Sequence, residues 1–183
     1  MFLKYLGFSI LINLIASQDF CNLPVDRGNS KCDKAKKSTR YHFESKLNMC
    51  FPFSYEGCDG NENNFETESL CYNGCRPADQ FSCPANSESK GTCHRGPDVD
   101  KQCPEGTTCT PGGMLDYCCN STIAKEWEHE YNSKECENGG KIVEQKFWYG
   151  DDVLRGSHCD HKFCPDNSEC VQGTYIARCC RKK

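Results

Sequence analysis

Four side chains of metal-binding type fall inside the string SHCDHKFC: His158, Cys159, His161 and Cys164. Two thiolates and two imidazoles at that spacing have the donor atoms of a zinc site. The rest of the chain argues that the sulfurs are not thiolates. Eighteen of the 183 residues are cysteine, a density that marks a disulfide scaffold from an oxidising compartment, and the even number lets every sulfur pair. A bridged sulfur does not ligate zinc as a thiolate does, so the reading is no metal site and no cofactor. Catalysis is not indicated either. His42, His94, His129, His158 and His161 are scattered among cysteine-rich loops, without a Gly-x-Ser-x-Gly elbow, a phosphate loop or a His-Glu-x-x-His helix. The sequence is that of a non-enzyme.

A second chemically loaded stretch is RGNSKCDKAKKSTR, Arg27 to Arg40, with six basic residues, one acid and one cysteine. Such a run can face a sulfated glycan or an acidic partner. The formal net charge of the whole chain is −4, which supplies no global basic field for nucleic acid. At the N-terminus Lys4 precedes an apolar run from Tyr5 to Ile15, then the small residues Ala16 and Ser17. This is the pattern of a secretory signal peptide, 1–17, too short to span a bilayer. No later segment reads as a membrane span, so the mature chain is expected to be secreted, extracellular and soluble.

What could hold these residues in place is limited by composition. A mean hydropathy of −0.74 leaves little apolar material for a core. The cysteines instead fall into three groups of six, which predicts three small stapled modules. Each bridge is worth about 2–4 kcal/mol, and modules of this size need that help. The first group is Cys21, Cys32, Cys50, Cys58, Cys71 and Cys75. Tyr41 and Phe43 alternate with polar residues, as do Phe51, Phe53 and Tyr55, predicting two half-buried strands with ESKLN turning between them. In ETESLCYNGC a short helix would put Cys71 and Cys75 on one face, with Thr67 as cap and Glu68 in the first turn.

The first group resembles a Kunitz domain. CNLPVDRG, RYHF, CFPFSYEGC, NENNF and the closing CYNGC stand in the family's order, and the last four cysteines keep its spacing. The resemblance covers Cys21 to Cys75. It implies an α+β fold, a twisted β-hairpin plus a C-terminal helix, with bridges Cys21–Cys75, Cys32–Cys58 and Cys50–Cys71. Phe53, Tyr55 and Phe65 would pack the fold, and Asn63 would be a buried amide tying backbone together. Family members mostly inhibit serine proteases, through the peptide bond just after the second cysteine; some block channels or act as adhesive modules. Protease contact would thus fall on Lys31, Cys32, Asp33, Lys34 and Ala35. The preorganised loop gives affinity because its ordering cost is met on folding.

Two departures bear on that expectation. NSK between Gly28 and Cys32, and DKAKKST between Cys32 and Arg40, are each two residues longer than in the family. Four loose residues would cost about 4–8 kcal/mol to order on binding, which erodes several decades of affinity. Asp33 occupies the bait position, where it would face the aspartate of a trypsin-like pocket. If Asp33 is the inserted residue, Lys34 becomes the bait, with Lys31 the weaker candidate. The implied Cys32–Cys58 bridge also brings Glu56, Asp59, Glu62, Glu66 and Glu68 near the basic run. From Gln18 to Cys75 seven basic residues stand against nine acidic ones, which disfavours a channel-blocking surface.

The second group is Cys83, Cys93, Cys103, Cys109, Cys118 and Cys119, and the third Cys136, Cys159, Cys164, Cys170, Cys179 and Cys180. CPEGTTCTPGGMLDYCC and CPDNSECVQGTYIARCC share length and cysteine positions, an internal repeat. The first copy resembles the lustrin-type cysteine-rich repeat found beside Kunitz domains in secreted nematode proteins. Six cysteines allow fifteen pairings, so bridging within each copy stays open. Both copies read as small loop-rich modules. The expected organisation is therefore 18–75, a linker 76–82, 83–119, a helical linker 120–135, 136–180 and a basic tail 181–183. In the second linker Ile123, Trp127 and Tyr131 recur every four residues, one helix face that packs on a neighbour. Asn120-Ser121-Thr122 is a glycosylation sequon. Two functions compete: a modulator of an extracellular serine protease, acting in cuticle or matrix remodelling such as moulting, and a structural or adhesive protein of matrix or cuticle.

Overall fold

In the computed structural model, residues 19–76, 82–94, 96–98, 102–112, 114–137, 139–147 and 150–183 are described. The segment 1–17 read as a signal peptide, and most of the linker 76–82, lie outside them. All eighteen cysteines are bridged, and every bridge joins members of one group of six.

In the first group, β1 (Ser38–Glu44) and β2 (Met49–Tyr55) form an antiparallel hairpin in which Arg40 faces Phe53 and Phe43 faces Cys50. The turn closes through Asn48 at φ +55°, a left-handed conformation that asparagine tolerates. Thr67 Oγ1 accepts from the Leu70 amide at 3.2 Å and starts α1 (Glu68–Cys75). Cys71 and Cys75 lie one turn apart on its buried side and bond to Cys50 and Cys21. With Phe43 these four sulfurs make the core, edged by Phe20, Tyr41, Phe65 and Tyr72. The core is sulfur and aromatic ring, as the low hydropathy requires.

The second group is a three-stranded sheet of β3 (Thr92–Cys93), β4 (Thr107–Thr110) and β5 (Asp116–Asn120), with β5 in the centre. Its bridges are Cys83–Cys119, Cys93–Cys109 and Cys103–Cys118. From β5 the chain enters α2 (Ser121–Asn132), capped by Asn120 Oδ1, which accepts from the amides of Thr122 and Ile123, both at 3.0 Å. The third group adds a hairpin of β6 (Glu144–Phe147) and β7 (Gly150–Val153), then repeats the sheet. In it β8 (Arg155–Gly156), β9 (Ser168–Gln172) and β10 (Ala177–Arg181) run with β10 central. Its bridges, Cys136–Cys180, Cys159–Cys170 and Cys164–Cys179, follow the same first-to-sixth, second-to-fourth, third-to-fifth order. The repeat thus extends from sequence to sheet order and connectivity.

One boundary differs from the sequence reading. Arg181, assigned there to a basic tail, is the last residue of β10, and its amide donates to Lys141 O at 2.8 Å. The backbone bond recruits it to the sheet, and a charge pattern carries no sign of that.

Helix α2 is fastened to the third group. The Glu130 carboxylate accepts from the amides of Thr174, Tyr175 and Ile176 at 3.0, 2.9 and 2.7 Å. Trp127 stacks on Tyr131 and meets Tyr175 edge-on, with centroids 5.5 and 5.8 Å apart. Arg155 lies over the Tyr131 ring at 4.1 Å, a cation–π geometry.

The first and third groups touch directly. His42 on β1 is 1% exposed, and its Nε2 lies 3.1 Å from Ser157 Oγ, which lies 3.1 Å from His161 Nδ1. The two imidazoles meet edge to face at 4.9 Å.

Candidate functional site

The basic run forms an exposed arch between Arg27 and β1. Its rising leg is tied down at three levels. Arg27 pairs with Glu56 and donates from Nε to Ser54 O at 2.9 Å. Asn29 and Cys58 exchange backbone hydrogen bonds of 2.8 and 2.9 Å. The Asn29 side chain accepts from the Lys31 amide at 2.9 Å and bonds the Asp59 carboxylate. At the top, Cys32 is bridged to Cys58, and the Ala35 amide donates to Cys32 O at 3.1 Å. That bond closes a β-turn with Asp33 and Lys34 at its two corners, both exposed. The sequence reading sets an upper bound on the cost of the four extra residues by taking them as loose, and a structured insert costs less. The structure folds them into the Asx turn at Asn29 and the turn at Cys32.

Charge is sorted along the arch. The two arginines at its base are paired, Arg27 with Glu56 and Arg40 with Glu66 at 3.3 Å, and Arg40 also lies over Tyr55. Lys31, Lys34, Lys36 and Lys37 are exposed and make no ion pair with any described residue. Acidic neighbours therefore neutralise the base and leave the rest of the arch positive, with Asp33 its lone acid.

Two features of this site carry no sequence signal. One is a groove of about 930 Å³ beside the falling leg, walled by Lys37, Ser38 and Thr39 on one side and by Lys162, Phe163 and Asp166 of the third group on the other. The second is the His42–Ser157–His161 contact beyond it. Burial, then the neighbouring His161, lowers His42 to about 3, while burial, then His158, lowers His161 to about 4. Of the zinc-type string, Cys159 and Cys164 are bridged to Cys170 and Cys179, so no thiolate is on offer. The sulfurs of Cys93, Cys103 and Cys118 also gather within 4.8 Å, but each belongs to a disulfide.

Residues 20–76 match the Kunitz/Bovine pancreatic trypsin inhibitor domain. Over 180 residues the chain is 40% identical to BPTI/Kunitz inhibitor domain-containing protein C02F12.5 of Caenorhabditis elegans, covering 96% of this chain and 99% of that one. The chain belongs to the BPTI/Kunitz inhibitor domain proteins. It is also 29% identical over 174 residues to major allergen Ani s 1 of Anisakis simplex, spanning 91% of this chain and 89% of the allergen. The colostrum trypsin inhibitor of Bos taurus is 44% identical over 62 residues, 34% of this chain and 87% of the inhibitor.

In this Kunitz domain one glycine decides how close the arch lies to β2's continuation. Gly57 has φ +109°, and a Cβ there would sit 2.4 Å from the Lys36 amide nitrogen. Both the conformation and the approach exclude a side chain. Gly57→Ala should push the falling leg outward and destabilise the domain by about 1–3 kcal/mol. The check is hydrogen exchange at the Ala35 amide alongside thermal unfolding. Unchanged protection would mean that the leg does not rest on Gly57.

Proposed function

We propose that this chain is a secreted Kunitz-type regulator that engages an extracellular serine protease through Lys31, Cys32, Asp33, Lys34 and Ala35, with Lys34 entering the specificity pocket. The observation that carries the reading is the crest itself: an exposed lysine on a hydrogen-bonded turn, pinned by Cys32–Cys58, with the arginines at its base paired. Little ordering cost remains for binding. The colostrum trypsin inhibitor's name supports a protease as partner, and a setting in cuticle or matrix remodelling is part of the proposal. The closed bridges within each group of six support folding units at 18–75, 83–119 and 136–180, the last two as cysteine-rich repeats of lustrin type. Nine disulfides support secretion after removal of 1–17. Asn120 is exposed at a helix cap with its sequon intact, a position that admits a glycan.

The test is a panel of trypsin-, chymotrypsin-, elastase- and subtilisin-like enzymes with the wild type, Lys34→Ala and Asp33→Ala. A trypsin-like enzyme should be slowed by the wild type. Lys34→Ala should weaken that at least ~30-fold, as loss of an interface anchor does. Asp33→Ala should strengthen it roughly tenfold, by removing a carboxylate beside an acidic pocket. Unchanged turnover throughout, with no complex on gel filtration, would return the Kunitz domain to a scaffold role in matrix.

A further inference from the structure

The two cysteine-rich repeats treat the same hairpin tip in opposite ways. In the third group the tip between β9 and β10 is sealed by α2. Glu130 takes three of its amides, the Tyr175 ring lies against Trp127, and the Tyr175 hydroxyl donates to Glu126 at 2.9 Å. Ile176 is left 3% exposed. In the second group the corresponding residues, counted from the shared cysteines, are Met114 and Leu115. No helix among the described residues seals them as α2 seals the other tip: Met114 is 93% exposed and Leu115 46%. Both turns bring a carbonyl close to their glycine, though the Gly173 amide donates to Ile176 O at 2.8 Å and the Gly112 amide to Asp116 Oδ1 at 3.2 Å. A Cβ on Gly112 would meet Leu115 O at 2.0 Å, and one on Gly173 would meet Ile176 O at 2.9 Å. The amides of Met114 and Leu115 donate to no other described residue. A single exposed methionine is ordinary. A bare tip whose twin in the same chain is capped by a helix is a surface with a known kind of complement.

We propose that the Met114–Leu115 tip is a docking point for a helix of another protein, one presenting an aromatic ring for Met114 and, one turn later, a carboxylate for the amides of Met114 and Leu115. The occupant's chemistry is read from Trp127 and Glu130, three residues apart and so on one helix face. A second copy of this chain is a poor occupant, because its own α2 face is already committed to its third group. Asp116 does not block the approach: its Oδ1 is turned onto the Gly112 amide at 3.2 Å.

The probe is a helix-stabilised peptide carrying the sequence 120–133 of this chain, titrated into the full-length protein with methyl-labelled methionine. The chain has three methionines, so the Met114 methyl resonance can be followed directly. A saturable shift of that resonance is expected below about 1 mM peptide. Peptides altered at the positions of Trp127→Ala or Glu130→Gln should bind at least ~10-fold more weakly. Met114→Glu in the protein should abolish the titration with unfolding unchanged, since the side chain is almost wholly exposed. A Met114 methyl that does not move, or moves equally with a scrambled peptide, overturns the proposal. So does cleavage or inhibition at Met114 by a chymotrypsin-like enzyme without peptide binding, which would make the tip a second bait.

Discussion

Asn63→Ala should lower the unfolding midpoint of the Kunitz domain by at least ~10 °C. Asn63 is 1% exposed and is the clasp of the domain. Its Oδ1 accepts from the Phe43 amide at 2.8 Å, and its Nδ2 donates to Leu23 O at 2.8 Å and Phe43 O at 3.0 Å. One amide thereby joins β1 to the N-terminal segment, which has no strand partner of its own there. Truncation strands a buried N–H and two carbonyls, each worth about 1–3 kcal/mol when left unpaired, so a total near 3–5 kcal/mol follows. Asn63→Asp separates hydrogen bonding from shape. It keeps the acceptor for Phe43 N–H but turns the donor into an oxygen facing two carbonyls, so at neutral pH it should be no better than alanine. A loss below about 1 kcal/mol for the aspartate would show that the amide is filler.

Acid should prise the Kunitz domain from the third group. Free histidine titrates near 6.5; burial first, then the neighbouring His161, holds His42 at about 3, and burial first, then His158, holds His161 at about 4. The groups facing the pair are His158, which with Arg27 lowers His161 further, and Asp160, which opposes them. Both docked imidazoles are neutral, so above 6.5 the contact carries no penalty. As pH falls from 6.5 the undocked form takes up protons that the docked form refuses, and the loss is complete near the docked values. At pH 4 His42 alone costs roughly 3 kcal/mol. His161, which water reaches, adds less through screening. His42→Gln keeps a polar partner for Ser157 and cannot titrate. Stability measured from pH 7 to 4 should fall less steeply in this variant, by close to one proton's worth of slope. Equal slopes, or a His42 resonance titrating near 6.5, would refute the account.

The first domain was legible because its signals are local. Alternating aromatics marked β1 and β2, and two cysteines four apart with a threonine cap marked α1. The repeat of seventeen residues likewise announced a shared fold. Bridging inside the repeats was not legible, because spacing alone leaves fifteen pairings. Nor was the contact of His42 with Ser157, 115 residues away: no period or composition links two residues on separately stapled units. The turn at Cys32–Ala35 escaped for the opposite reason, being too short to leave a pattern beyond one aspartate.

The adjacent cysteines on the two central strands have a consequence of their own. Neighbours on a strand point to opposite faces, so Cys118 and Cys119, like Cys179 and Cys180, rivet β5 and β10 from above and below. Sliding either strand by a single residue would bring one sulfur to the other's partner and carry the second away from both. Misalignment is therefore a covalent error, reversible only by thiol exchange and invisible to heat. A reductant too gentle to open the Kunitz domain would be the sensible way to look for it.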